Sequence, residues 1–219
     1  MIYRFRVLPI IPVFLSTSAI ISLAWADAPA LSPDACQGKC PIRGVEDTPS
    51  NPCDQWAWDF ETAALWRISD STHLDYVVLP QILSLRTPAH LRMAIGDNTL
   101  TVRARFSLLA EPVVRGPESL YLGFSASPSL EYWFADQTAC WFTSIGGGVG
   151  WIDSQSDPGG QGQDFTLNWF ATTGLRYYLK PDLAISAGAF FQHLSNGGAT
   201  DPNPGLDALG PVLGLTWHF

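Results

Sequence analysis

The sequence predicts an all-β fold, an eight-stranded antiparallel transmembrane β-barrel. Three observations carry that expectation. From residue 55 onward, apolar residues alternate with polar or small ones at period two, the spacing at which strand side chains share a face. Charged residues make up only 15% of the 219-residue chain, against 47% hydrophobic residues and nine Trp; soluble domains usually carry about 25% charge. The non-apolar face is built from Gly, Ser, Thr and lone charges such as Arg103, Arg105, Glu131 and Arg176. Small residues and paired charges suit the narrow interior of a small barrel, whereas a soluble sandwich turns its apolar face inward. The formal charge of −8, with no Lys/Arg cluster, argues against a nucleic-acid partner.

Residues 1–26 read as a secretory signal: Arg4 and Arg6, an apolar run from Val7 to Trp25, then Ala24-Trp25-Ala26 as a cleavage site. Pro9 and Pro12 argue against a single membrane anchor, and no Cys follows the cleavage site to mark a lipoprotein. Residues 27–54, rich in Pro, Asp and small residues, read as a periplasmic extension or linker leading into a barrel over residues 55–219. Cys36, Cys40, Cys53 and Cys140 are an even set in an exported chain, so all four are disulfide candidates, with Cys53–Cys140 the expected pair. A metal site from Cys36, Cys40 and Cys53 lacks a nearby His and a second Cys pair, so no metal is expected.

The strands follow in order. Trp56, Trp58, Phe60 and Trp66 mark the outward face of the first. The second, around residues 73–86, alternates poorly and contains Pro80. Leu100 to Leu108 gives the third, Leu120 to Tyr132 the fourth, Trp141 to Trp151 the fifth and Phe165 to Tyr177 the sixth. Lys180-Pro181-Asp182 is a tight turn into the last hairpin, whose two strands end at Ser195 and at Phe219. Most of these reach the roughly 10 residues that a tilted membrane strand requires. Trp and Tyr near strand ends fit interfacial girdles, with His218 placed in the girdle beside Phe219. Past the leader, no stretch is long and apolar enough for a membrane helix.

The last hairpin concentrates the chemistry. His193 and Ser195 lie two apart, so on a strand they share a face at about 7 Å. Residues 196–205 contain Gly197, Gly198, Pro202, Asn203, Pro204 and Gly205 and must turn. If Ser195 lies opposite Gly205, His193 lies opposite Asp207, at a Cβ separation of about 5 Å. One hairpin then assembles a hydroxyl nucleophile, an imidazole base and an orienting carboxylate. Asp201, in the loop, is the other acid that could serve the His. Donors for a developing oxyanion would be the backbone N–H groups of Gly197 and Gly198 and the side chains of Asn196 and Asn203. His193 and Ser195 continue the apolar stripe of Ile185, Ala187, Ala189 and Phe191, and Asp207 continues that of Leu209 and Leu213. A reactive group at the end of a lipid-facing stripe points to a lipid substrate. His73 and His90 have no Ser or acid at matching positions and read as structural.

The motif QHLSNGG, followed by NPGLDALG and a terminal aromatic strand, resembles the PagL family of outer-membrane lipid A 3-O-deacylases over roughly residues 119–219. That family carries a His-x-Ser on its penultimate strand and an acid twelve residues after the Ser; here the acid is Asp207. Better-known members have Glu at that place, so Asp207 is one methylene shorter. The resemblance implies hydrolysis of the 3-position ester of lipid A with neither metal nor cofactor. It also implies lipopolysaccharide and the outer membrane as partners, the site facing the outer leaflet, and an assembly signal at Phe219. A homodimer is a further expectation for the assembly. Two other classes stay open: a non-catalytic structural or adhesion barrel, and another lipid acyl hydrolase or acyltransferase in the same place.

Overall fold

The computed structural model describes residues 51–69, 75–155 and 159–219. The expected leader, residues 27–50 of the expected extension, His73, Cys36 and Cys40 lie outside the described residues. Within them the chain forms one closed eight-stranded antiparallel transmembrane barrel. β1 (Ala57–Ala63) and β2 (Leu65–Arg67) make the first barrel strand, and β3 (Val77–Val78), β4 (Gln81–Arg86) and β5 (Leu91–Ile95) make the second. The others are continuous: β6 (Asn98–Arg115), β7 (Leu120–Trp133), β8 (Ala139–Ile152), β9 (Phe165–Lys180), β10 (Leu183–Ser195) and β11 (Leu206–His218). Each pairs with its sequence neighbour, and β11 pairs with β1 and β2 to close the ring.

Prolines explain why the first two barrel strands come in pieces. A proline cannot donate to the ladder. Ala64 donates to Pro211 O at 3.2 Å, but Pro211 has no N–H to return the bond. Leu79 donates to Pro112 O at 3.0 Å and Ala63 to Pro80 O at 2.9 Å, again without reciprocal bonds from the prolines. The weak alternation expected around residues 73–86 is this interruption seen from the sequence. β5 is the strand segment that the alternation did not indicate.

The barrel is apolar outside. Phe106, Leu108, Ile145, Leu175, Leu213 and Trp217 are among its exposed side chains. Its interior is layered. Nearer Ala57 and His218 is a buried ionic network: Arg86 takes both oxygens of Asp59, at 2.6 and 3.1 Å, and also pairs with Glu131. Arg176 donates to Glu131 at 3.0 Å, Thr216 donates to Asp59 at 2.6 Å, and Arg105 pairs with Glu61. Lone charges in a sequence this poor in charge therefore neutralise one another across the interior, the arrangement a buried ion needs. At the opposite end, Tyr76, Tyr121, Phe170, Phe190, Leu194 and Leu206 pack into an apolar layer.

Two expectations change. His218 turns inward, is buried, and bonds the Tyr178 hydroxyl at 3.0 Å, because Trp217 and Phe219 occupy the outer positions of the alternation. Cys53 and Cys140 are buried in one small cluster with Trp133, Tyr178 and Ala184, but Cys140 is a free thiol and the expected Cys53–Cys140 disulfide is not formed. Sharing a cluster is a weaker condition than the Cβ separation of about 3.8 Å that a disulfide needs. The last residues of the expected extension pack against the barrel. Pro52–Asp54 is a 3-10 turn capped by the Asn51 side chain, Pro52 and Cys53 are buried, and Arg103 donates to the carbonyls of Pro52 and Gln55.

Candidate active site

The β10–β11 hairpin has the register that opposes His193 to Asp207 and Leu194 to Leu206. Direct opposition brings the imidazole and carboxylate together: His193 Nδ1 and Asp207 Oδ1 lie 2.6 Å apart, and each side chain keeps 29% of its surface exposed. With Nδ1 held by the carboxylate, Nε2 is the nitrogen left to work. Asp201 is fully in the exposed loop and does not take the place of Asp207.

The alternation of buried residues fixes the face. Gln192 and Leu194 point into the barrel, so His193 and Ser195 point out, together with Ile185 and Ala187. Asp207 lies outward on β11 with Leu209 and Leu213. All three residues therefore sit on the lipid-facing side, at the end of the barrel remote from Ala57 and His218. Among the described residues Ser195 Oγ has no hydrogen-bond partner. Gly205, at φ +66°, packs beside the imidazole: a Cβ there would lie 3.5 Å from His193 Cε1. On the other flank β9 places Trp169 opposite His193, with ring centroids 6.2 Å apart and planes 30° apart; Trp169 also packs on Phe191 at 4.8 Å.

The turn after Ser195 is organised by Asn196, which is buried. Its Nδ2 donates to Gln161 O (2.6 Å), Thr200 O (2.9 Å) and Pro202 O (3.2 Å), and its Oδ1 accepts the Gly198 N–H at 2.8 Å. Two of the four expected oxyanion donors are thus engaged within the loop. The Asn196 amide and the Gly198 N–H are committed to shaping the loop. Gly197 and Asn203 remain as candidates. Asn203 Oδ1 accepts the Asn196 N–H at 3.0 Å, so its amide nitrogen is the edge left to donate.

Neighbouring loops hold this turn in place. Glu118, between β6 and β7, is buried and accepts from Tyr76 Oη at 2.6 Å, Ser154 Oγ at 2.9 Å and the Gln161 N–H at 3.2 Å. Asp153 clamps the same turn through the Ser119 hydroxyl and the N–H groups of Ser119 and Leu120, both 2.9 Å. Burial alone would raise the Asp153 carboxyl, but these hydrogen bonds outweigh it and hold the carboxyl below its ordinary value. No three His, Cys, Asp or Glu side chains among the described residues converge to hold a metal ion.

Sequence reasoning missed Trp169, Glu118, Tyr76 and Gln161. Trp169 was accessible in principle, since the register of the β9–β10 hairpin about its Pro181-Asp182 turn puts it beside His193. Glu118 carried no local signal; it meets Gln161 and Tyr76 only through loop packing.

The family model for lipid A 3-O-deacylase (PagL) matches residues 56–216. The chain belongs to the lipid A 3-O-deacylase family. Two solved structures are also similar to it. The outer membrane enzyme PagL is 17% identical, with 72% of this chain and 97% of that chain covered and a TM-score of 0.48. Neisserial surface protein A is 12% identical, with coverages of 75% and 97% and a TM-score of 0.43. No curated protein matches. The family match runs from just before β1 to residue 216 in β11, so positions 193, 195 and 207 lie within it.

Proposed function

We propose that this chain is an outer-membrane hydrolase that removes the ester-linked acyl chain from the 3-position of lipid A, using Ser195, His193 and Asp207 at the outer-leaflet end of the barrel. Family membership supports the substrate class. The observation that carries the mechanism is the 2.6 Å contact between His193 Nδ1 and Asp207 Oδ1, two residues along the strand from an outward-facing Ser195.

In this reading Asp207 holds the Nδ1–H tautomer, leaving Nε2 basic. His193 Nε2 takes the Ser195 proton as Oγ attacks the ester carbonyl. The tetrahedral oxyanion is met by donors from the Gly197 N–H and the Asn203 amide; one such donor typically contributes about 10²–10³ in rate. Collapse breaks the bond to the sugar oxygen, which leaves with the proton from His193. Water, deprotonated by the same His193, then releases the acyl group from Ser195 as a free fatty acid. Ester oxygens of a lipid lie near the membrane surface, which is where an outward-facing site at a barrel rim would meet them. Ser195 must rotate onto Nε2 for the first step; such contacts are often loose before substrate binds.

Mass spectrometry of lipid A from Gram-negative cells expressing the chain tests the proposal. Loss of one hydroxyacyl unit, abolished by Ser195→Ala, is the expected result. An unchanged spectrum, with the folded barrel in the membrane and a 3-O-acylated lipid A present, would favour a non-catalytic barrel. A gain in mass would indicate acyl transfer.

A further inference from the structure

We infer that Glu118 is a positioning residue for the proposed ester hydrolysis, holding the oxyanion-binding turn in shape from 77 positions before Ser195. The inference rests on the serine-esterase reading above.

Glu118 is 3% exposed, yet no Arg or Lys contacts it among the described residues; three uncharged donors satisfy it instead. Tyr76 Oη serves one carboxylate oxygen, and Ser154 Oγ and the Gln161 N–H serve the other. A buried carboxylate kept by neutral donors is a costly way to stabilise a loop. What it achieves, together with Ser154, is the anchoring of Gln161. The Gln161 N–H donates to Ser154 Oγ, its nearer acceptor, and reaches Glu118 Oε1 at 3.2 Å, while the Gln161 carbonyl, in the following peptide, accepts Asn196 Nδ2 at 2.6 Å. That bond fixes the Asn196 amide, so its Oδ1 faces the Gly198 N–H. The Asn196 N–H is in turn held by Asn203 Oδ1, which leaves the Asn203 amide nitrogen as the donor edge. Close packing reinforces the link: a Cβ on Gly162 would lie 2.5 Å from Pro202 O, so the loop before β9 sits directly against the turn before β11.

The chain from Glu118 thus ends on both remaining oxyanion donors, Gly197 through the turn and Asn203 through its amide. It touches none of His193, Ser195 and Asp207. Loosening it should therefore leave substrate binding and the His193–Asp207 pair intact while displacing the donors. A displacement on the order of 1 Å at a catalytic group costs about 10² in rate.

The test is steady-state kinetics on the purified full barrel in detergent, with lipid A as substrate, for Glu118→Ala, Glu118→Gln, Tyr76→Phe and Ser195→Ala. Folding is checked by heat-modifiable gel mobility and circular dichroism. The expected result is a kcat for Glu118→Ala lower by about ten- to a hundredfold with KM within about twofold. Glu118→Gln, which keeps a carbonyl acceptor, should recover most of that loss. Tyr76→Phe removes one donor and should lower kcat by a few fold, and it keeps the question answerable if Glu118→Ala does not fold. A folded Glu118→Ala barrel with unchanged kcat overturns the inference, as does a loss confined to KM or to thermal stability, or an undiminished kcat in Tyr76→Phe where Glu118→Ala fails to fold. Activity retained in Ser195→Ala sinks the underlying reading instead, and is distinguishable because it leaves the Glu118 variants without a serine mechanism to position.

Discussion

Replacing Asp207 with Asn separates shape from charge at the site. The two side chains are nearly isosteric, and Asp207 lies outward and part-exposed, so the barrel should fold unchanged. The consequence is electronic. In the proposed mechanism the carboxylate, 2.6 Å from His193 Nδ1, fixes the Nδ1–H tautomer and stabilises the imidazolium formed as Ser195 is deprotonated. An amide can instead donate its own N–H to Nδ1, which selects the tautomer with the proton on Nε2 and removes the base. It also leaves the imidazolium without a counter-charge. The combined cost expected is about 10³–10⁴ in kcat, equivalent to about 4–5.5 kcal/mol of transition-state stabilisation. The assay is release of fatty acid from lipid A by the purified barrel, with circular dichroism as the folding control. Asp207→Glu should be milder, a loss of about ten- to a hundredfold. Asp already closes the contact across directly opposed positions, and an added methylene has to fold back. An Asp207→Asn barrel retaining more than about a tenth of native activity would refute this reasoning.

Further predictions concern the barrel that presents the site. Arg86→Ala removes one of the two guanidinium groups that Asp59 and Glu131 share, leaving Arg176 as the other, and should destabilise the barrel by about 3–5 kcal/mol, read from urea unfolding in detergent. Gly148→Val should prevent folding or sharply lower the melting temperature, because a Cβ there would lie 1.9 Å from Phe124 O on the paired strand, and backbone cannot yield as a side chain can. Cys140, buried and free, should react with maleimide only after unfolding and without prior reduction; the native barrel should stay unlabelled at that position.

Much of this was legible because barrel strands impose a strict period. Alternation from Trp56 to Phe219 told outer from inner faces, and it put His193, Ser195 and Asp207 on one side before any register was known. The register itself followed from one assumption, Ser195 opposite Gly205, which the pairing of His193 with Asp207 meets. Pro80, Pro112 and Pro211 blurred the pattern because they remove ladder donors without leaving the barrel. His218 was misplaced because its aromatic neighbours suggested a girdle, although its own parity put it inside. Asn196 and Gly198 looked like free donors in a Gly-rich loop; only the packing of residues 159–163 against that loop shows where their hydrogen bonds go. Contacts such as Glu118 with Gln161 join segments 43 residues apart and obey no period.

The central claim is that Ser195 is a nucleophile activated by His193 on the outside of the barrel. A fluorophosphonate probe bearing an acyl-like tail tests it most directly, since it reacts covalently with an activated serine and needs no knowledge of the lipid A structure. Peptide mapping of the labelled native barrel should find the phosphonyl group on Ser195, and His193→Ala should abolish the label while leaving the barrel folded. Labelling at another serine, or no labelling of a barrel that still deacylates lipid A, would contradict the account.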